Sequence, residues 1–119
     1  MTYEKIYLIA EQIKAQLAPF CKRIEIAGSI RRKEEECGDI EIVAIRKGSG
    51  LISLAETIDG WPKIKGDTKG KYTQRIYKWG QSDYDTILID IFFATEKNWG
   101  YIMAIRTGSQ HFSKALASR

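Results

Sequence analysis

The sequence predicts an α+β domain: a mixed or antiparallel sheet of four to five strands, with helices on one face. Three observations lead there. Apolar residues in 3–18 recur at three- and four-residue steps. Four runs with strand character follow in two pairs, rich in β-branched and aromatic residues. Short helical stretches separate the pairs and close the chain, an order that gathers helices against a sheet. A length of 119 residues fits one domain, residues 1–119.

Taken in order, Tyr3, Ile6, Ala10, Ile13 and Leu17 draw one apolar stripe. Thr2 suits the N-cap and Glu4 the positive end of the helix dipole. Pro19 stops the helix, because its ring disfavours helical backbone at the residue before it. "RIEIAGS" reads as a strand entering a Gly-Ser turn, and "DIEIVAI" as a second strand. "LISLAETID" is a short helix and "KIKGDTKG" a loop or hairpin tip. "KYTQRIYKW" is a third, basic strand, and "DTILIDIFFA" a fourth, the most apolar in the chain. "EKNWGYIMAIR" is helical from Glu96, and a last helix, capped by Ser109, follows.

Composition narrows the function classes. Hydrophobic content of 44% and charged content of 29% fit a soluble globular chain. No apolar run is long enough to cross a membrane, and the first residues lack the pattern of a secretory signal. Cys21 and Cys37 show neither metal-ligand spacing nor a redox motif and read as reduced thiols in a cytoplasmic protein. His111 is the only histidine, which excludes a zinc site built on histidines. Net charge is +4, and it is uneven. Lys63, Lys65, Lys69, Lys71, Arg75 and Lys78 lie between Trp61 and Gly80 against one acid, Asp67. That segment is the candidate nucleic-acid contact, with a solvated hairpin as the alternative.

The chemistry concentrates in three acids. Residues two apart on a strand share a face, so Asp39 and Glu41 point the same way, with Cα atoms ~6.5–7 Å apart. Ile40, Ile42 and Ala44 make the opposite, apolar face. Asp90 interrupts "TILIDIFFA", with Leu88 and Phe92 beside it and Ile87, Ile89, Ile91 and Phe93 behind. A carboxylate inside an apolar strand is costly without a partner. Two readings stand: a salt bridge to Arg31 or Arg32, or a bound cation. Oxygen-only ligands suit Mg²⁺, which binds through one or two carboxylates together with substrate phosphates. Upstream, Gly28 permits close backbone approach, and Ser29 offers a hydroxyl and an N–H to a phosphate. Arg31 and Arg32 can neutralise phosphate oxygens. A Gly-Ser alone is weak evidence; followed by an arginine pair, Gly-Asp-x-acid and a later strand Asp, it is specific.

These motifs, "GSIRR", "GDIE" and "LIDIFF", resemble those of the nucleotidyltransferase superfamily typified by DNA polymerase beta, and within it the family X DNA polymerases. The likeness continues through "KGKYTQRIY" and "IRTGSQHF" and covers about residues 20–117. It implies a palm domain with a truncated thumb beginning at about residue 108. The implied reaction moves a nucleoside monophosphate from a (d)NTP to a DNA 3′-hydroxyl, releasing pyrophosphate. On that resemblance Asp39, Glu41 and Asp90 are catalytic and hold two Mg²⁺ ions, for which Mn²⁺ can substitute. Gly28, Ser29, Arg32, Gly38, Gly108, Gln110 and Ser113 contact the nucleotide, and Arg31 is a local structural charge. Implied partners are a (d)NTP, a DNA primer end or gapped DNA, and a protein supplying the thumb or the grip on DNA. The implied location is the cytoplasm, with the DNA. Glu41 stands where the family has aspartate, and Ile105 and Arg106 stand where polymerase beta has an aromatic pair. The alternatives are a weak or inactive palm serving as a nucleotide- or nucleic-acid-binding module, or a nucleotidyltransferase with a non-DNA acceptor.

Overall fold

The stripe on the first helix meets a sheet whose strands are apolar on one side. In the computed structural model, which describes residues 1–31, 38–48 and 51–108, helix α1 spans Tyr3–Leu17. It buries Ile6, Ile9, Ala10, Ile13 and Leu17. Thr2 takes the N-cap position with extended backbone, although its side chain makes no capping bond. Pro19 lies in a 3₁₀ turn, Ala18–Phe20, that ends the helix.

Strand β1 (Cys21–Ala27) runs into a single helical turn, α2 (Gly28–Arg31), and then β2 (Ile40–Arg46). Helix α3 (Leu51–Asp59) leads to a hairpin of β3 (Lys63–Gly66) and β4 (Tyr72–Lys78). Strand β5 (Thr86–Ala94) and helix α4 (Trp99–Thr107) follow. The sheet order is β1-β2-β5-β4-β3. Strands β2 and β5 pair in parallel, and the other three neighbouring pairs are antiparallel. The class is therefore α+β with a five-stranded mixed sheet.

The fifth strand is β3, the first half of the segment read as a loop or hairpin tip. All four of its residues are exposed, so it carries no burial pattern to betray it. Lys63 and Lys65 charge this edge, which discourages pairing with another sheet. Gly66 turns the hairpin at φ +77, and a Cβ there would sit 2.1 Å from the Tyr72 carbonyl oxygen. Only glycine meets both demands.

The main core lies on one face. Ile24, Ile26, Ile40, Ile42, Ala44, Ile87, Ile89, Ile91 and Phe93 pack there against α1 and against Leu54 and Ile58 of α3. The expectation that helices gather on one face needs correction, because α4 covers part of the other. Its Trp99 and Met103 pack on Ala27, Val43, Ile45 and Ala94. These sheet residues are the apolar part of the face that carries the acids, and burying them requires a cover. Helix α4 starts three residues later than Glu96, because Thr95 and Asn98 exchange side-chain-to-backbone bonds in a turn first. Among the described residues no helix is long and apolar enough to cross a membrane.

Candidate active site

The parallel pairing of β2 with β5 does what the sequence pattern alone could not fix. It sets Glu41 directly opposite Asp90. On its other side Glu41 faces Ala27 of β1, so the Gly28–Ser29 turn lies next to it. Asp39 sits just before β2. Its carboxyl is held above the ordinary carboxylate range, first by partial burial and then by the negative charge of Asp90. Asp39 and Asp90 thus feel each other across the two strands.

Asp90 is 8% exposed. The Tyr72 phenol donates to its Oδ1 at 2.5 Å, and the Gln74 amide donates to the same oxygen at 3.0 Å. The salt bridge to Arg31 does not form. Arg31 is exposed and lies 3.8 Å from Glu25, which also meets Lys14 at 3.4 Å.

Gly28 has φ +68, and a Cβ built on it would lie 2.5 Å from Oε2 of Glu41. The close approach that this glycine permits is therefore made to the Glu41 side chain. Ser29 is half-buried in the first turn after it, and Gly38 is exposed beside Asp39. Gly108 caps α4 and donates its N–H to Ala104. Arg32, Gln110 and Ser113 lie outside the described residues.

Two more neighbours complete the acid face. Tyr72 stacks on Phe92 with ring centroids 4.8 Å apart, and the Arg106 guanidinium lies 4.4 Å over Phe92. The Tyr72 hydroxyl is pushed well above the ordinary phenol value by burial, by its bond to Asp90 and by the charges of Asp90 and Glu41. Arg106 opposes that shift, so its positive charge reaches the same group. Tyr72 and Gln74 were not singled out in the sequence, whereas Phe92 stood there as a face-mate of Asp90 and Arg106 at the position of the family's aromatic pair. A signal existed for the first two: Tyr72 and Gln74 alternate with Thr73 and Arg75, so they share one face of β4. Which face that was depended on the pairing with β5.

The basic segment does not form one surface. Arg75 is 4% exposed and points to the other side of β4. Its guanidinium donates to Asp59, Thr73 Oγ1 and the Trp61 carbonyl. It is removed from the candidate nucleic-acid contacts for that reason. Lys63 and Lys69 line a hollow with Asp59, Asp67 and Thr68. Lys78 meets Asp83 at 3.5 Å. Lys71 is exposed. Lys65 lies on the acid face, with its ammonium 5.8 Å over the Tyr72 ring.

Asp39, Glu41 and Asp90 present oxygen donors alone, the chemistry that Mg²⁺ prefers. The repulsion between Asp39 and Asp90 is of the kind a divalent cation relieves. Among the described residues, no three His, Cys, Asp or Glu side chains are already gathered as a metal group. The donor set fits a cation in chemistry and charge. The chain matches no protein-family model, and no curated protein matches it at a significant level.

Proposed function

We propose that this chain is a Mg²⁺-dependent nucleotidyltransferase of the DNA polymerase beta type, acting in the cytoplasm on DNA ends. The observation that carries the reading is the register of Glu41 with Asp90, with Asp39 close enough to sense Asp90's charge. Two strands thus bring together acids that lie 49 residues apart in the chain.

In the proposed reaction a 3′-hydroxyl oxygen attacks the α-phosphorus of a (d)NTP. The new phosphorus–oxygen bond forms as the bond to pyrophosphate breaks, and the hydroxyl proton passes to solvent water. Asp39, Glu41 and Asp90 would hold the Mg²⁺ ions, which when bound supply Lewis-acid activation of the hydroxyl and neutralise charge on the leaving group. The chain's own groups do the positioning. Asp90, fixed by Tyr72 and Gln74, would face the attacking group. The Ser29 hydroxyl and the Gly28–Ser29 turn adjoin Glu41, where a triphosphate would be received. Arg106 offers a cation to phosphate from α4.

One observation favours a second reading, a weak or inactive palm that binds nucleotide without turning it over: the Glu41 carboxylate rests on Gly28. A nucleotide-incorporation assay on a gapped or recessed DNA primer, with Mg²⁺ or Mn²⁺, separates the two. Extension that vanishes in Asp90→Ala supports the transferase. Metal-dependent triphosphate binding without extension supports the binding module. No metal-dependent binding of triphosphate rejects both.

A further inference from the structure

Asp90 is buried, and the two donors that the described residues place on its carboxylate are neutral. A lysine or arginine there would have cancelled its charge. Among the described residues no salt bridge reaches it: Tyr72 and Gln74 satisfy one oxygen by hydrogen bonding without cancelling the negative charge. Both donate to Oδ1, and neither uses Oδ2.

The two donors are themselves held. Gln74 is the direct register partner of Asp90 on β4, and Tyr72 lies two residues before it, opposite Phe92. The Tyr72 ring is fixed against Phe92 at 4.8 Å, and Phe92 is covered by Arg106 at 4.4 Å. A carboxylate gripped through one oxygen by two fixed donors loses its freedom to rotate.

We infer that Tyr72 and Gln74 are positioning residues: they lock the Asp90 carboxylate through Oδ1 and keep Oδ2 for a divalent cation. This rests on the nucleotidyltransferase reading and adds to it the groups that set the geometry of the acid nearest the attacking hydroxyl. The chemistry is general, since hydrogen-bond partners of a ligating carboxylate fix its orientation and their loss costs about 10–100-fold in metal affinity or activity.

The test uses the full chain with Tyr72→Phe, which keeps the ring stacked on Phe92 and removes one oxygen, and with Gln74→Leu. Mn²⁺ binding is measured without nucleotide, by calorimetry or by its paramagnetic resonance. Incorporation on a recessed primer is then followed against Mg²⁺ and against triphosphate. Each variant is expected to weaken Mn²⁺ binding about 10–100-fold and to raise the half-saturating Mg²⁺. kcat falls while KM for the triphosphate and the thermal midpoint stay near the parent values, a split that mere loss of folding would not give. Wild-type Mn²⁺ binding and Mg²⁺ dependence in both variants, in a chain whose binding does require Asp90, overturns the inference alone. A parent chain that binds no Mn²⁺ and loses nothing in Asp90→Ala overturns the transferase reading and the inference with it.

Discussion

Among the described residues two charged side chains are buried, and they sit on neighbouring strands facing opposite ways. Arg75, on β4, turns towards α3 and meets Asp59 at 3.1 Å, with two further acceptors on Thr73 and Trp61. Asp90, on β5, turns to the acid face and is met by Tyr72 and Gln74, both neutral. Arg75 is compensated in charge and in hydrogen bonds, as a structural group is. Among the described residues Asp90 is compensated by hydrogen bonds and by no salt bridge. A buried charge that nothing cancels costs stability, and a bound cation would offset that cost.

The largest effect that separates the two comes from Asp90→Asn. Incorporation should fall to background, while stability should hold or rise by ~1 kcal/mol because an uncancelled charge has left the interior. The amide oxygen can still accept from Tyr72 and Gln74. Primer extension and urea unfolding on the same preparation measure both. A marked loss of stability would place Asp90 with Arg75, as a structural charge.

Arg75→Leu should do the reverse. It strands the Trp61 carbonyl and removes bonds to Asp59 and Thr73, for a loss of about 3 kcal/mol. Activity per folded molecule should be unchanged, because Arg75 lies on the far side of the sheet from the acids. Asp59 itself is 56% exposed and returns to water without penalty. Reduced DNA affinity in folded Arg75→Leu would return this arginine to the nucleic-acid contacts.

A smaller effect tests the glycine between these regions. Gly28→Ala meets both a left-handed backbone, φ +68, and Oε2 of Glu41 at 2.5 Å. The expected loss is about 2 kcal/mol. In a Glu41→Ala background the clash is gone and only the backbone part remains, about 1 kcal/mol. A double-mutant cycle reads the difference, and strict additivity would show that Glu41 does not rest on Gly28 in solution.

The same pair shows what the sequence could and could not reveal. Glu41 and Asp90 break the apolar runs of β2 and β5, so the core face was legible in Ile40, Ile42 and Ala44 and in Ile87, Ile89 and Ile91, with these two acids on the opposite face. That Glu41 stands opposite Asp90 was not, because register between distant parallel strands is set by packing across the whole sheet. Arg75 was misread for a related reason: a lysine-rich stretch hides one arginine whose partner, Asp59, is brought to it only by the turn after α3. Strand β3 escaped because no residue of it is buried. Helix α4 was expected on the core side, and nothing in "WGYIMAIR" said that Val43 and Ile45 would need its cover.

The smallest effect concerns Asp39, whose carboxyl is held above its ordinary value of 3.8 by burial first and by Asp90 second. A carboxyl raised on folding binds its proton more tightly in the folded state. Its stabilising contribution is complete below the unfolded value and is lost as pH rises through the folded one. The stability of the parent relative to Asp39→Asn should therefore decline across that window, by a small amount because the residue is largely open to solvent. Carbon-detected titration of the carboxyl apportions the two causes. In Asp90→Asn the Asp39 value should fall part of the way towards 3.8 and stop above it, because burial is unchanged. In Arg75→Leu it should not move at all. A full return to 3.8 in Asp90→Asn would make the charge of Asp90 the whole cause. No movement would mean that the two acids do not sense each other, and that the acid face holds no shared site for a cation.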